Sequence, residues 1–124
     1  MRTTYREGGG FEEAAAYSRA VRIGPYVAVS GTAPREPGDA YAQTREAIAR
    51  ALAAAAKLGA SADDVLRTRL LLVHGCDWNG AVRAHAEAFA GIEPANTTYF
   101  VSGFIPAGVL VEVELDAVVL EPPR

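Results

Sequence analysis

The sequence predicts an α+β fold with elements in the order β-β-α-β-α-β-β and both helices on one face of a single sheet. Three observations carry this reading. A clear strand with alternating faces runs from Val109 to Val119, strong helix formers run almost unbroken from Ala40 to Leu58, and Gly24-Pro25 separates two short β-type runs.

Residues 1–10, which include Gly8-Gly9-Gly10, read as a flexible lead-in, and residues 11–124 as a single domain. The runs Tyr17 to Ile23 and Tyr26 to Gly31 form a hairpin, with Val21 and Ile23 flanking Arg22 and Val27 alternating with Ala28. Pro34, Pro37 and Gly38 break regularity, and Asp39 N-caps the first helix. Ile48, Leu52, Ala55 and Leu58 fall on one stripe of that helix, and Gly59 ends it. After the turn Ser61 to Asp64, Val65 to His74 reads as a buried strand. Asp77 caps a second helix to Ala90, with Trp78, Val82, His85 and Phe89 on an apolar stripe, and Gly91 stops it. Thr97 to Ser102 is β-branched and aromatic. In the last strand Val111, Val113, Leu115 and Ala117 point one way, and Glu112, Glu114 and Asp116 the other.

Half of the 124 residues are hydrophobic, enough for one core and one domain. With 12 Lys+Arg against 15 Asp+Glu the net charge is −3, which disfavours nucleic acid as a partner. One cysteine, Cys76, with only His74 and His85 available, makes neither an internal disulfide nor a structural zinc site. The sequence has no Gly-rich phosphate loop, no HExxH and no CxxC. No apolar run approaches the roughly 20 residues of a membrane span, and the opening residues lack a signal-peptide core. A small cytoplasmic protein with no membrane partner is the expectation.

The acidic face of the last strand is either a solvated sheet face or the seat of a general base. Glu114 is the favoured base because Val113 and Leu115 flank it mid-strand, where neighbours limit hydration and raise its pKa. Ser30-Gly31-Thr32 ends a strand, where backbone N–H groups can meet a carboxylate or carbonyl oxygen. Cys76 reads as a small apolar filler, and His85 as a hydrogen-bonded core or interface histidine. Arg67 and Arg69 share a strand face suited to ion pairs.

Three stretches, taken in order, resemble the Rid family of small proteins, also called YjgF or endoribonuclease L-PSP. They are Tyr17 to Pro34 (YSRAVRIGPYVAVSGTAP), Glu93 to Thr98 (EPANTT) and Pro106 to Val119 (PAGVLVEVELDAVV). The resemblance implies a chorismate-mutase-like α+β fold assembled as a homotrimer, its sheets forming an inner barrel with the helices outside. It also implies a small-molecule metabolite cleft at each subunit interface. Deaminases of the family hydrolyse enamines and imines derived from amino acids, without metal or cofactor. Carried onto this chain, the resemblance makes Glu114 the catalytic glutamate and Tyr17, Gly31, Asn96 and Thr98 substrate-binding residues.

The deaminases carry an arginine directly after the Pro-Ala of the stretch Pro94-Ala95, where this chain has Asn96. An amide lacks the charge-assisted bidentate grip of a guanidinium, so small α-imino acids are expected to be poor substrates. Asn96 and the segment Phe11-Glu12-Glu13 resemble the arginine-lacking Rid subgroups. The leading expectation is a hydrolase of a reactive imine, enamine or carbonyl compound. A non-catalytic metabolite-binding trimer is the alternative, and a ribonuclease the least favoured reading.

Overall fold

Gly24 takes φ +60°, a conformation that L side chains rarely adopt, and turns β2 (Ala20–Ile23) into β3 (Tyr26–Thr32) through a two-residue loop. The structure, a computed structural model, describes residues 1–120. The remaining elements are β1 (Arg2–Tyr5), α1 (Gly10–Ala15), α2 (Ala40–Ala56), β4 (Val65–Val73), α3 (Trp78–Phe89), β5 (Ala95–Val101) and β6 (Val111–Val118), with a 3-10 turn at Ala62–Asp64. The strands form one sheet in the order β1-β2-β3-β6-β4-β5. Every pairing is antiparallel except β4 with β5, which α3 connects as a crossover. The expected α+β fold is therefore observed. No helix among the described residues is long and apolar enough to cross a membrane.

The N-terminus differs from its sequence reading. Arg2 to Tyr5 is no irregular lead-in but an edge strand, registered Arg2 to Ile23 and Tyr5 to Ala20. Its short, mostly exposed sequence carries no apolar alternation, so backbone pairing with β2 decides its conformation.

Capping follows the sequence. The Asp39 carboxylate accepts a hydrogen bond from the Ala42 N–H at 2.8 Å, and Asp77 accepts one from Gly80 at 3.2 Å. α2 lies across β6 and β3 and packs along α3, sinking Ala47, Ile48, Ala51 and Ala55 into the core. Val113, Leu115 and Ala117 of β6, Leu70 and Leu72 of β4 and Val27 and Val29 of β3 meet them from the sheet. On α3 the buried positions are Gly80, Ala81, Ala84 and Phe89. The expected stripe is rotated, leaving Trp78 and Val82 about half exposed, because small residues allow the closer approach of helix to core.

One core residue is poorly matched to its place. Thr44 of α2 is fully buried, and its hydroxyl has no hydrogen-bond partner among the described residues. An unpaired buried hydroxyl costs on the order of 1–3 kcal/mol, so Thr44→Val should stabilise the fold by about 1 kcal/mol in urea titration. Unchanged or reduced stability would show that the hydroxyl finds a partner after all.

Neither α2 nor α3 covers the other sheet face. It presents the acidic row of β6, Arg67 and Arg69 of β4, and the exposed side chains of Tyr26, Leu66 and Tyr99. Gln43, buried in α2, pins the loop that leads into β6. Its Nε2 donates to the carbonyls of Gly38 and Gly108, and its Oε1 accepts from the Leu110 N–H at 2.8 Å.

Candidate functional site

A register shift between Val29 and Thr32 bulges β3 where it pairs with β6 and sets Gly31 against Glu112. A Cβ on Gly31 would lie 2.6 Å from Glu112 Oε1, so only glycine leaves the carboxylate its place. The two residues border a cavity of about 600 Å³, walled also by Tyr17, Arg19, Phe104 and Ile105. Burial lifts the Glu112 carboxyl above the ordinary carboxylate value; Arg19 opposes the rise and neighbouring Glu114 adds to it.

Arg19 follows β1 and α1 into this wall. Its guanidinium donates to the Gly31 carbonyl at 3.0 Å, lies 5.3 Å from the centre of the Tyr17 ring, and pairs with Glu12 at 3.5 Å. Glu12 is 3% exposed, and its carboxylate also accepts the Glu7 and Gly8 N–H groups, so it ties the chain between β1 and α1 to the cavity. On the far wall Arg50 donates to the Ala33 carbonyl and pairs with Glu7 at 3.0 Å.

The structure brings Tyr17 and Gly31 of the sequence-derived set together, but with Glu112 and not Glu114. Glu114 is outside the cavity lining and faces Arg69, whose guanidinium is 3.6 Å from its carboxylate and 3.3 Å from that of Asp116. Alternation puts all three carboxylates on one face, and only the bulge in β3 and the loop carrying Phe104 to Pro106 choose among them. Glu112, rather than the expected Glu114, is thus the carboxylate that borders this cavity.

Asn96 and Thr98 lie elsewhere. β5 is in register with β4, so both side chains share the helix-covered face with Thr68, opposite Glu112. Asn96 Nδ2 donates to Thr68 Oγ1 at 3.0 Å, Thr98 Oγ1 donates to Asn96 Oδ1 at 2.8 Å, and His85 Nε2 sits 2.7 Å from Thr68 Oγ1. Burial lowers the His85 pKa, favouring the neutral ring as acceptor of the Thr68 proton. Asn96 and Thr98 border a second cleft of about 420 Å³ with Leu72, Trp78, Val82 and Phe100. Cys76 packs against the core, where burial pushes its thiol pKa up, away from nucleophilic use. Among the described residues no group of three or more His, Cys, Asp and Glu side chains is placed to hold a metal.

The sequence marks Glu12 only as part of a subgroup-like segment and gives Arg50 no role in a site. Only tertiary packing brings the two to the wall with Tyr17 and Gly31. Gly31→Ala tests the wall directly. Because the atom a Cβ would strike is the tip of a flexible side chain, the fold should survive with a stability change under about 1 kcal/mol. Glu112 would be displaced, and any activity that depends on its position should fall about tenfold or more. Retained activity would separate Gly31 from the chemistry.

The family model described as Endoribonuclease L-PSP matches residues 10–119. An uncharacterized protein of Streptomyces coelicolor is 38% identical over 118 residues, covering 90% of this chain and 88% of its own. A RutC family protein of Pyrococcus abyssi is 30% identical over 105 residues, covering 79% and 82%. Among solved structures, a Mycobacterium tuberculosis member of the YjgF/YER057c/UK114 family superposes with TM-score 0.91 at 43% identity, over 96% of this chain and 100% of that one. With a matching sequence model, matching relatives and a matching fold, the chain belongs to the endoribonuclease L-PSP family, the Rid or YjgF family.

Proposed function

We propose that the protein is a cytoplasmic, cofactor-free hydrolase of small imines, enamines or related carbonyl compounds, with Glu112 as its base. The observation that carries this reading is a half-buried carboxylate, raised in pKa, that opens onto a cavity beside an aromatic ring. Water adds to the imine carbon while Glu112 takes one of its protons and passes it to the nitrogen, giving a carbinolamine. Glu112 then carries the hydroxyl proton to the same nitrogen as the C–N bond breaks and the C=O bond forms. Imine and water thus become carbonyl compound and ammonia, and the carboxylate is regenerated. Tyr17 closes one side of the cavity, and the bulge at Gly31 keeps the carboxylate in reach.

The same proposal makes the working unit a homotrimer with metabolite clefts between subunits. Asn96 and Glu112 occupy opposite sheet faces, so a cleft that uses both draws them from two copies. An uncovered sheet face with exposed Tyr26, Leu66 and Tyr99 supports assembly. Asn96 in the arginine position, with Glu12 ahead of Tyr17, supports an arginine-lacking member. Ammonia release from carboxylate-free imines generated in place by a flavin amine oxidase tests the chemistry, with Glu112→Gln as the control. Light scattering tests the assembly. The expected mass is three times the 13.0 kDa of the chain, and a monodisperse monomer at micromolar concentration overturns the trimer.

A further inference from the structure

Two arginines and three glutamates line the larger cavity, and four of these five are matched with one another. Glu12 takes Arg19 at 3.5 Å and Glu7 takes Arg50 at 3.0 Å. Among the described residues neither an ion pair nor a hydrogen bond reaches the Glu112 carboxylate, although Arg19 attracts it from farther off. Arg6 and Arg35 join Glu12 and Glu7 from the solvent side, with side chains 48% and 65% exposed, where water and salt screen their field. The side chains lining the cavity therefore carry one net negative charge when Glu112 is ionised and none when it is protonated.

A carboxylate entering this space meets Glu112 and finds each guanidinium already held by a glutamate. To use Arg19 it must displace Glu12, which is 3% exposed and held by the Glu7 and Gly8 N–H groups as well. A cation meets the opposite situation, because Glu112 gains a partner and no existing pair is broken. Tyr17, Phe11, Phe104 and Ile105 offer apolar surface for the rest of the ligand.

We propose that the cavity selects a small amine or iminium compound with an apolar body and no carboxylate. Glu112 is its counter-ion, and Glu12 is the residue that shuts out acids by occupying Arg19. The proposal rests on the same cavity as the proposed hydrolase but is read by binding, so the two fail separately.

Isothermal titration calorimetry at neutral pH with phenethylamine, 2-phenylethanol and 3-phenylpropionate tests it, because the three probes share a body and differ in charge. The amine should bind about tenfold or more tighter than the acid, with Glu112→Gln removing about tenfold for the amine and leaving the alcohol unchanged. Glu12→Gln should raise affinity for the acid by about tenfold. Should that variant fail to fold, Glu112→Gln substitutes for it and should raise acid affinity several-fold, since it removes the net negative charge of the lining. Tightest binding of the acid, amine binding indifferent to Glu112→Gln, acid affinity unmoved by Glu112→Gln, or no amine binding at millimolar concentration would each overturn the proposal. Amine selectivity in a protein that never releases ammonia would sustain it and sink the hydrolase reading instead.

Discussion

Glu112→Gln should reduce imine hydrolysis about 100-fold or more, on the usual scale for losing a general base, whereas Glu114→Gln should cost less than about threefold. The two carboxylates are neighbours on one strand face, yet only Glu112 lines the cavity, and Glu114 faces Arg69. The pH profile gives a second readout. A base must be ionised to act, and burial raises the Glu112 pKa, so the rate should rise through an apparent pKa above that of a free carboxylate. Stability moves the other way. The folded state holds the Glu112 proton more tightly than the unfolded chain does, so this group favours folding most below its unfolded pKa. That contribution is lost as pH rises through the folded value. Gln cannot titrate, so the variant should melt higher than wild type above this window, with the gap closing in acid. Equal losses in the Glu112 and Glu114 variants would show that the row acts as one field rather than through one base.

Leu115→Ala should lower the free energy of unfolding by about 3 kcal/mol, within the range of about 2–5 for large-to-small changes in tight cores. Leu115 is 0% exposed on the central strand, between Val29 of β3 and Thr68 of β4, and belongs to the core cluster that α2 covers. Neighbours on three sides limit collapse into the space left by the side chain, so the cavity term remains alongside the lost transfer energy. Urea titration checks the value. A loss under about 1 kcal/mol would mean that α2 settles onto the sheet and that this part of the core is loosely packed.

The central strand was legible because its two faces differ so sharply, with Val111, Val113, Leu115 and Ala117 buried in turn. The two long helices were legible through their capping aspartates. β1 was not, since Arg2 to Tyr5 hold their place by backbone pairing at a sheet edge, and α1 has only six residues. The site was half legible. Tyr17 and Gly31 border one cavity, but alternation cannot say whether Glu112 or Glu114 joins them, because that depends on a bulge in a different strand. Asn96 shows the same limit. Its face is decided by parallel register with Thr68, which no local pattern in EPANTT encodes.

The strand order also has a consequence for how the chain is made. β6 lies between β3 and β4, so the hairpin of the first half and the β4-α3-β5 unit of the second share no ladder without it. During synthesis the N-terminal half emerges first, yet the strand that joins the halves comes last. Until Val111 to Val118 leave the ribosome, Leu70 and Val29 each have an open edge beside them and α2 lacks the middle of its sheet. The growing chain is therefore two fragments with exposed apolar faces, and its long-range pairing closes only at the end. A nascent chain halted before Val111 should need a chaperone to stay soluble, whereas the completed one closes its own core.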